Sequence, residues 1–209
     1  QSTLEYLARQ CNDKGIWLLS DETYSNTAFG KPFFSLAGLD HPQLVVISSF
    51  SKIFSIPGFR VGYAISNKEV AKKLTLSNST LFSCLPIFTQ IGCLAGLKVM
   101  DSYEKKIKSY YQKTTRNVAK ILRKSSTIKF SNPDSAFYFF VDISRTFCAD
   151  IDFCELLLEK KQTAATPGSS FGKQFDSFVR IALCGNVEDV EEGVRRFIEL
   201  AEECSVKKL

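Results

Sequence analysis

Residues 45–66 read VVISSFSKIFSIPGFRVGYAIS. Two short apolar runs, at 44–48 and 61–65, flank a stretch of small hydroxyl residues that holds Lys52 and is broken by Pro57-Gly58. Apolar runs this short and continuous suit strands covered on both faces, as in a parallel sheet. A third such run lies upstream, at 16–20. Amphipathic segments alternate with these runs. Residues 2–13 place Leu4, Leu7, Ala8 and Cys11 on one helical face and stop at Gly15, and residues 67–76 have helical spacing again. Helix alternating with buried strand defines an α/β domain.

After a helix expected at 86–98 the pattern changes. A long helix at 103–123 carries Tyr103, Ile107, Tyr111, Val118, Ile121 and Leu122 at helical spacing. Strands are predicted at 137–143 and 178–183, with a helix at 152–161 between them. Asn186 is a good N-cap for a last helix, with Glu188 and Asp189 in its first turn. Val190, Val194, Phe197, Ile198 and Ala201 form the stripe that helix should bury. The change of character places a domain boundary near residue 99, giving domains at 1–98 and 99–209.

Composition narrows the classes. Of the 209 residues 44% are hydrophobic and 23% charged, as in an ordinary globular protein. No apolar run approaches the roughly 20 residues that cross a bilayer. The opening QSTLEYLARQ has neither the basic start nor the apolar run of a signal peptide, and reads as a helix entered in mid-protein. The chain is therefore expected to be a fragment. Seven scattered cysteines without a C-x-x-C pair argue for a reducing, cytoplasmic compartment, and against a disulfide framework or a zinc site. His41, in the turn-like DHP, cannot build a metal site alone; it is read as a turn residue. The net charge of +5 falls in lysine pairs (Lys72-Lys73, Lys105-Lys106, Lys160-Lys161) on solvated helix faces. No basic stripe or known module points to nucleic acid.

Ligands of open α/β sheets bind beyond the carboxyl ends of the strands. The first predicted strand ends in Asp21-Glu22-Thr23-Tyr24, and the second in Ser48-Ser49-Phe50-Ser51-Lys52, with Arg60 at the start of the third. A lysine set among hydroxyls there is a candidate for Schiff-base chemistry. Taken singly, each feature is common: an acid after a strand is usually a helix cap, and Arg60 or Arg180 could be an ordinary surface or ion-pair residue. Their order and their place at strand ends set them apart.

Together WLLSDETYSN (17–26) and VVISSFSKIFSIPGFRVGYAIS resemble the fold-type I, class I/II aminotransferases. The resemblance runs on through PDSAFYFFVDI (133–143), TPGSSFG (166–172) and FVRIALCG (178–185). It implies that residues 1–98 are the end of a mainly parallel large-domain sheet that binds cofactor. Residues 99–209 would then be the smaller α+β C-terminal domain. The implied cofactor is pyridoxal 5′-phosphate, held by Lys52 as a Schiff base; Lys52 would also move the proton at substrate Cα. Asp21 matches the buried acid that pairs with the pyridine nitrogen, and Tyr24 the phenol beside the 3′-oxygen. Ser49 and Arg60, three residues before and eight after the lysine, match phosphate ligands, with Ser51 assisting. Arg180 matches the arginine that grips the substrate α-carboxylate, a task suited to its planar fork.

The same resemblance implies amino acid and 2-oxo acid substrates and a homodimer. A lyase or decarboxylase would use the same set of residues, and a sensor domain attached to a DNA-binding module would keep it. The family's glycine-rich phosphate loop, stacking aromatic ring and N-P-x-G asparagine would all precede Gln1, so these residues alone are expected to be inactive. Ser135 stands where the family has glycine. Phe137, Tyr138, Phe139 and Phe140 are read as strand and core rather than a substrate box. Trp17 is read as core, and Cys84 and Cys93 as small buried hydrophobes.

Overall fold

The computed structural model describes residues 1–205. The chain forms two compact units, Gln1–Lys108 and Ser109–Leu209, and the division falls inside a long helix.

In the first unit, helix α1 (Ser2–Asp13) buries Ala8 and Cys11 and is followed by Gly15 at φ 64°. Glycine takes that left-handed conformation without a Cβ penalty, so the chain turns where the sequence stops the helix. Leu4 and Leu7, expected on the buried face, are exposed. Strands β1 (Leu18–Asp21), β2 (Leu44–Ser49) and β3 (Gly62–Ser66) form one sheet in that order. β1 and β2 run parallel, with Asp21 opposite Ile47, whereas β2 and β3 run antiparallel, with Ser49 opposite Gly62.

The expectation of a third parallel strand is corrected by this pairing. A parallel return would have to travel back along β2, about 20 Å for six residues. The connection instead holds the one-turn helix α2 (Phe50–Ile53), whose four residues rise about 6 Å, and a 3₁₀ turn at Pro57–Phe59. The chain therefore reverses and comes back beside the strand it has just left. Gly62 makes the crossing possible, since a Cβ there would lie 2.5 Å from the Ser48 carbonyl oxygen.

Burial on both sheet faces is also corrected. On one face Leu44 and Val46 pack with Leu36, and with the partly buried Leu18, Phe34, Ala37 and Leu39. The other face is open: Leu19 is 65% exposed, and no residue of β3 is buried. Trp17, just before β1, is 57% exposed and is not core. Helix α3 (Lys68–Phe82) starts where Asn67 accepts the Val70 N–H at 2.9 Å, and it buries no residue. Helix α4 (Ile87–Lys98) buries Thr89 and Cys93 but leaves Ile87, Phe88, Ile91 and Leu94 exposed. Cys93 is thus the buried small hydrophobe expected, and Cys84 is exposed.

The second unit is built the other way round, with a large closed core. It contains the end of helix α5 (Met100–Leu122), strands β4 (Lys129–Phe130) and β5 (Tyr138–Asp142), helix α6 (Asp150–Lys161), strands β6 (Thr166–Pro167) and β7 (Phe178–Ala182), and helix α7 (Val187–Ser205). The strands pair antiparallel in the order β4-β5-β7-β6. Period-two alternation points Phe139, Val141, Val179 and Ile181 inward, against Val118 and Leu122 of α5, Phe153 and Leu157 of α6, and Val194 and Phe197 of α7. The stripe expected on the last helix is buried as read, and Asn186 caps it by accepting the Asp189 N–H at 3.0 Å. β4 and β6 have two residues each, too short for any periodicity to mark. No helix among the described residues is long and apolar enough to cross a membrane.

Candidate active site

The candidate residues fall into two sets, one in each unit. In the first unit the parallel register aligns the carboxyl ends of β1 and β2. Asp21 pairs with Ile47, two residues before Ser49, so Asp21 and Ser49 share the face opposite the Leu36 cluster. Asp21 is exposed rather than buried as expected, because it alternates with Leu19 onto the open face. Its Oδ1 accepts from the Thr23 N–H at 3.0 Å and the Thr23 hydroxyl at 2.5 Å, which fixes the carboxylate at the strand end. Tyr24 is half-buried and opens the 3₁₀ turn Ser25–Thr27, its carbonyl accepting from the Thr27 hydroxyl at 2.9 Å.

Ser49 is the N-cap of α2: its Oγ accepts the Ser51 N–H at 3.1 Å and donates to the Val61 carbonyl at 3.3 Å. That cap turns the chain at the end of β2 and sets Lys52, half-buried, in the only turn of α2, with Ser51 buried beside it. Arg60 is exposed and sits in the left-handed region at φ 51°, ψ 48°, with Nη1 donating to the Pro57 carbonyl at 2.9 Å. Ser55, at φ 55°, holds the same unusual conformation at the other end of this loop. Non-glycine residues held there cost energy and tend to cluster at functional sites. A cavity of about 330 Å³ opens beside Ser49, lined also by Phe50, Ile53 and Tyr63. A larger cleft, about 800 Å³, runs past Arg60 between Phe59, Phe82 and Phe88. Asp21 and Lys52 line neither.

The buried acid here is Glu22, which the sequence reading passed over. It is 6% exposed, and its carboxylate accepts from the Leu36 N–H at 2.9 Å, the Ser35 hydroxyl at 2.7 Å and the Ser20 hydroxyl at 3.2 Å. It ties the end of β1 to the loop that covers the sheet, and so holds Asp21 and Tyr24 on either side of it in place. Nothing in the pair Asp21-Glu22 tells the two acids apart beforehand; only the direction of the strand's last pleat does.

In the second unit Arg180 lies on β7 directly opposite Phe140 of β5 and Thr166 of β6, on the sheet face away from the core. Its Nη2 donates to the Thr166 hydroxyl at 3.2 Å. Its guanidinium carbon lies 5.7 Å from the Tyr138 ring centre and 5.1 Å from that of Phe171. Nε is buried and has no hydrogen-bond partner among the described residues. Of the aromatic run, Tyr138, Phe139 and Phe140 lie in a strand as read; Phe139 is core, whereas Tyr138 and Phe140 sit on the arginine's face.

A fold with a lysine one turn beyond a parallel strand pair, and with an arginine on a separate antiparallel sheet, defines a class, and comparison with known proteins agrees with it. The model of the aminotransferase class I and II family matches residues 1–197. The aspartate aminotransferase of Thermotoga maritima is 32% identical over 195 residues, covering 92% of this chain and 49% of the relative. That of Pyrococcus horikoshii is 30% identical over 193 residues, covering 91% of the chain and 49% of the relative. The crystal structure of the Thermotoga enzyme superposes with a TM-score of 0.86 at 31% identity, over 97% of this chain and 52% of that one. An aromatic aminotransferase from Pyrococcus horikoshii superposes with a TM-score of 0.88 at 25% identity, over 97% and 56%.

This chain belongs to the class I and II aminotransferase family. It spans about half the length of the relatives it matches.

The family implies pyridoxal 5′-phosphate, and the donor set suits it. An acceptor carboxylate, a lysine, a capping hydroxyl and a guanidinium gather at one strand-end region. Arg60 donates one of its five N–H groups to the Pro57 carbonyl, and a guanidinium is a charge-assisted partner for a phosphate.

Proposed function

We propose that this chain carries the lysine-bearing part of a pyridoxal-phosphate-dependent aminotransferase site, which moves an amino group from an amino acid to a 2-oxo acid. The observation that carries the reading is the shared face of Asp21 and Ser49 at the carboxyl ends of the parallel pair, with Lys52 in the turn that follows. When bound, the cofactor supplies a sink for the electrons released at substrate Cα. The protein's own groups do the rest. Lys52 Nζ would hold the cofactor and would move the proton at substrate Cα. Asp21 would keep a proton on the ring nitrogen, and the Tyr24 phenol would hydrogen-bond the ring oxygen. Ser49 and Arg60 bind phosphate, with Ser51 assisting from the same turn. Arg180 takes the substrate α-carboxylate. A homodimer and a reducing, cytoplasmic setting complete the reading; all seven cysteines are free thiols.

Borohydride reduction of the full-length protein loaded with cofactor should fix the label on Lys52, as peptide mass spectrometry would show. A label on any other lysine overturns the assignment. Incubation with amino donors and a 2-oxo acid acceptor should yield the transaminated pair. Release of carbon dioxide or ammonia in its place would identify a decarboxylase or lyase.

A further inference from the structure

The face of the second sheet that carries Arg180 is aromatic, and one of its rings is out of place for a packing residue. Phe171 is 47% exposed although it is a large apolar side chain. It stands at the end of the 3₁₀ turn Gly168–Phe171, and that turn is held firmly. A Cβ at Gly168 would lie 2.3 Å from the Phe175 carbonyl oxygen and 2.6 Å from that of Phe178, so the turn presses directly on the entry to β7. The Ser169 N–H donates at 2.7 Å to Asp150, itself 2% exposed at the start of α6. The scaffold thus fixes an aromatic ring that it does not bury. The Phe171 ring meets Phe140 edge-on at 5.9 Å, and its centre lies 5.1 Å from the Arg180 guanidinium carbon.

We propose that Phe171 is a positioning residue for substrate binding: with Tyr138 it holds the Arg180 guanidinium by cation–π contact, so that the fork meets a carboxylate in a fixed plane. The inference rests on the reading of Arg180 as the carboxylate grip and names what orients it. Arginine has a long, rotatable stem, and an unheld guanidinium would lose that freedom on every binding event. Here Nη2 is anchored on Thr166 and ring contacts restrain the plane, while Nε stays dry and without a protein partner. A planar fork held in this way suits a carboxylate, and the aromatic surround adds contact for the substrate's carbon chain.

The test uses the full-length, cofactor-loaded protein. Phe171→Leu keeps an apolar side chain against Phe140 but removes the π face. It should raise KM for both amino acid and 2-oxo acid by about two- to five-fold with kcat little changed, the range expected of a partly exposed cation–π contact. Calorimetric binding of the matching 2-oxo acid should weaken by the same factor, and Phe171→Tyr should restore both. Equal impairment in the Leu and Tyr variants would mean that packing alone matters and would overturn the proposal, as would an unchanged KM in Phe171→Leu. Should the Leu variant not fold, Phe171→Met makes the same comparison. Arg180→Lys separates the two levels. If it raises KM while Phe171→Leu does not, only the positioning role fails; if Arg180→Lys leaves KM unchanged, the carboxylate assignment fails with it.

Discussion

Glu22 shows how much one side chain can organise. Its carboxylate gathers a backbone N–H and two hydroxyls from β1 and from the loop that returns to β2. Glu22→Ala would leave the buried Leu36 N–H without its partner, at a cost of about 1–3 kcal/mol. The expected outcome is a lower urea midpoint with altered cofactor absorbance, since Asp21 and Tyr24 flank the lost anchor. A second buried group gives a pH prediction. Burial, and then the neighbouring Asp150 carboxylate, push the Cys154 thiol up to about 12. The protonated thiol favours the fold fully below the pKa of the unfolded chain's thiol. Above it the unfolded chain ionises first, so stability should fall from about pH 9 toward about pH 12. Urea midpoints for Cys154→Ala should fall less steeply over that window than those of the parent.

Elements follow from local rules until a connection decides direction. The positions of β2 and β3 could be read from their apolar runs, but the hand of their pairing could not. Periodicity records which residues face which side, and says nothing of whether a short connection folds back or crosses over. What settles it is the capped turn of α2 and the close crossing at Gly62. Gly62→Ala would set a Cβ 2.5 Å from the Ser48 carbonyl oxygen, a backbone atom with nowhere to move. This variant should splay β3 from β2 beside Ser49, costing on the order of 1–3 kcal/mol in stability, as overpacking does. Amide exchange at Gly62 and at the paired Ser49 should quicken, and phosphate-dependent cofactor binding should weaken. In the second unit the alternation of β5 and β7 was legible in full, but its consequence for Arg180 was not. Only the register, Phe140 against Arg180 against Thr166, shows that the arginine has a sheet face of its own.

The two units differ in how completely they close. Ser109–Leu209 has a continuous core running from Val118 to Ala201, whereas in Gln1–Lys108 the sheet's cluster centres on Leu36, Leu44 and Val46. Local stability follows buried apolar contact. Hydrogen exchange on the 209-residue chain should therefore show slow amides in β5, β7 and α7 and fast ones in β1, β3 and α3. Equal protection throughout would contradict this account. The sequence by itself determined the longer helices, the positions of β1, β2, β3, β5 and β7, the resemblance to the family, and a set of polar residues at strand ends. Each of these depends on spacing along the chain or on a local motif. Tertiary structure alone decided which acid is buried, that β3 runs antiparallel, that Trp17 and Leu19 face outward, and that Phe171 meets Arg180. Each of these depends on residues distant in sequence coming together, and neither periodicity nor composition records which distant neighbour covers a given face.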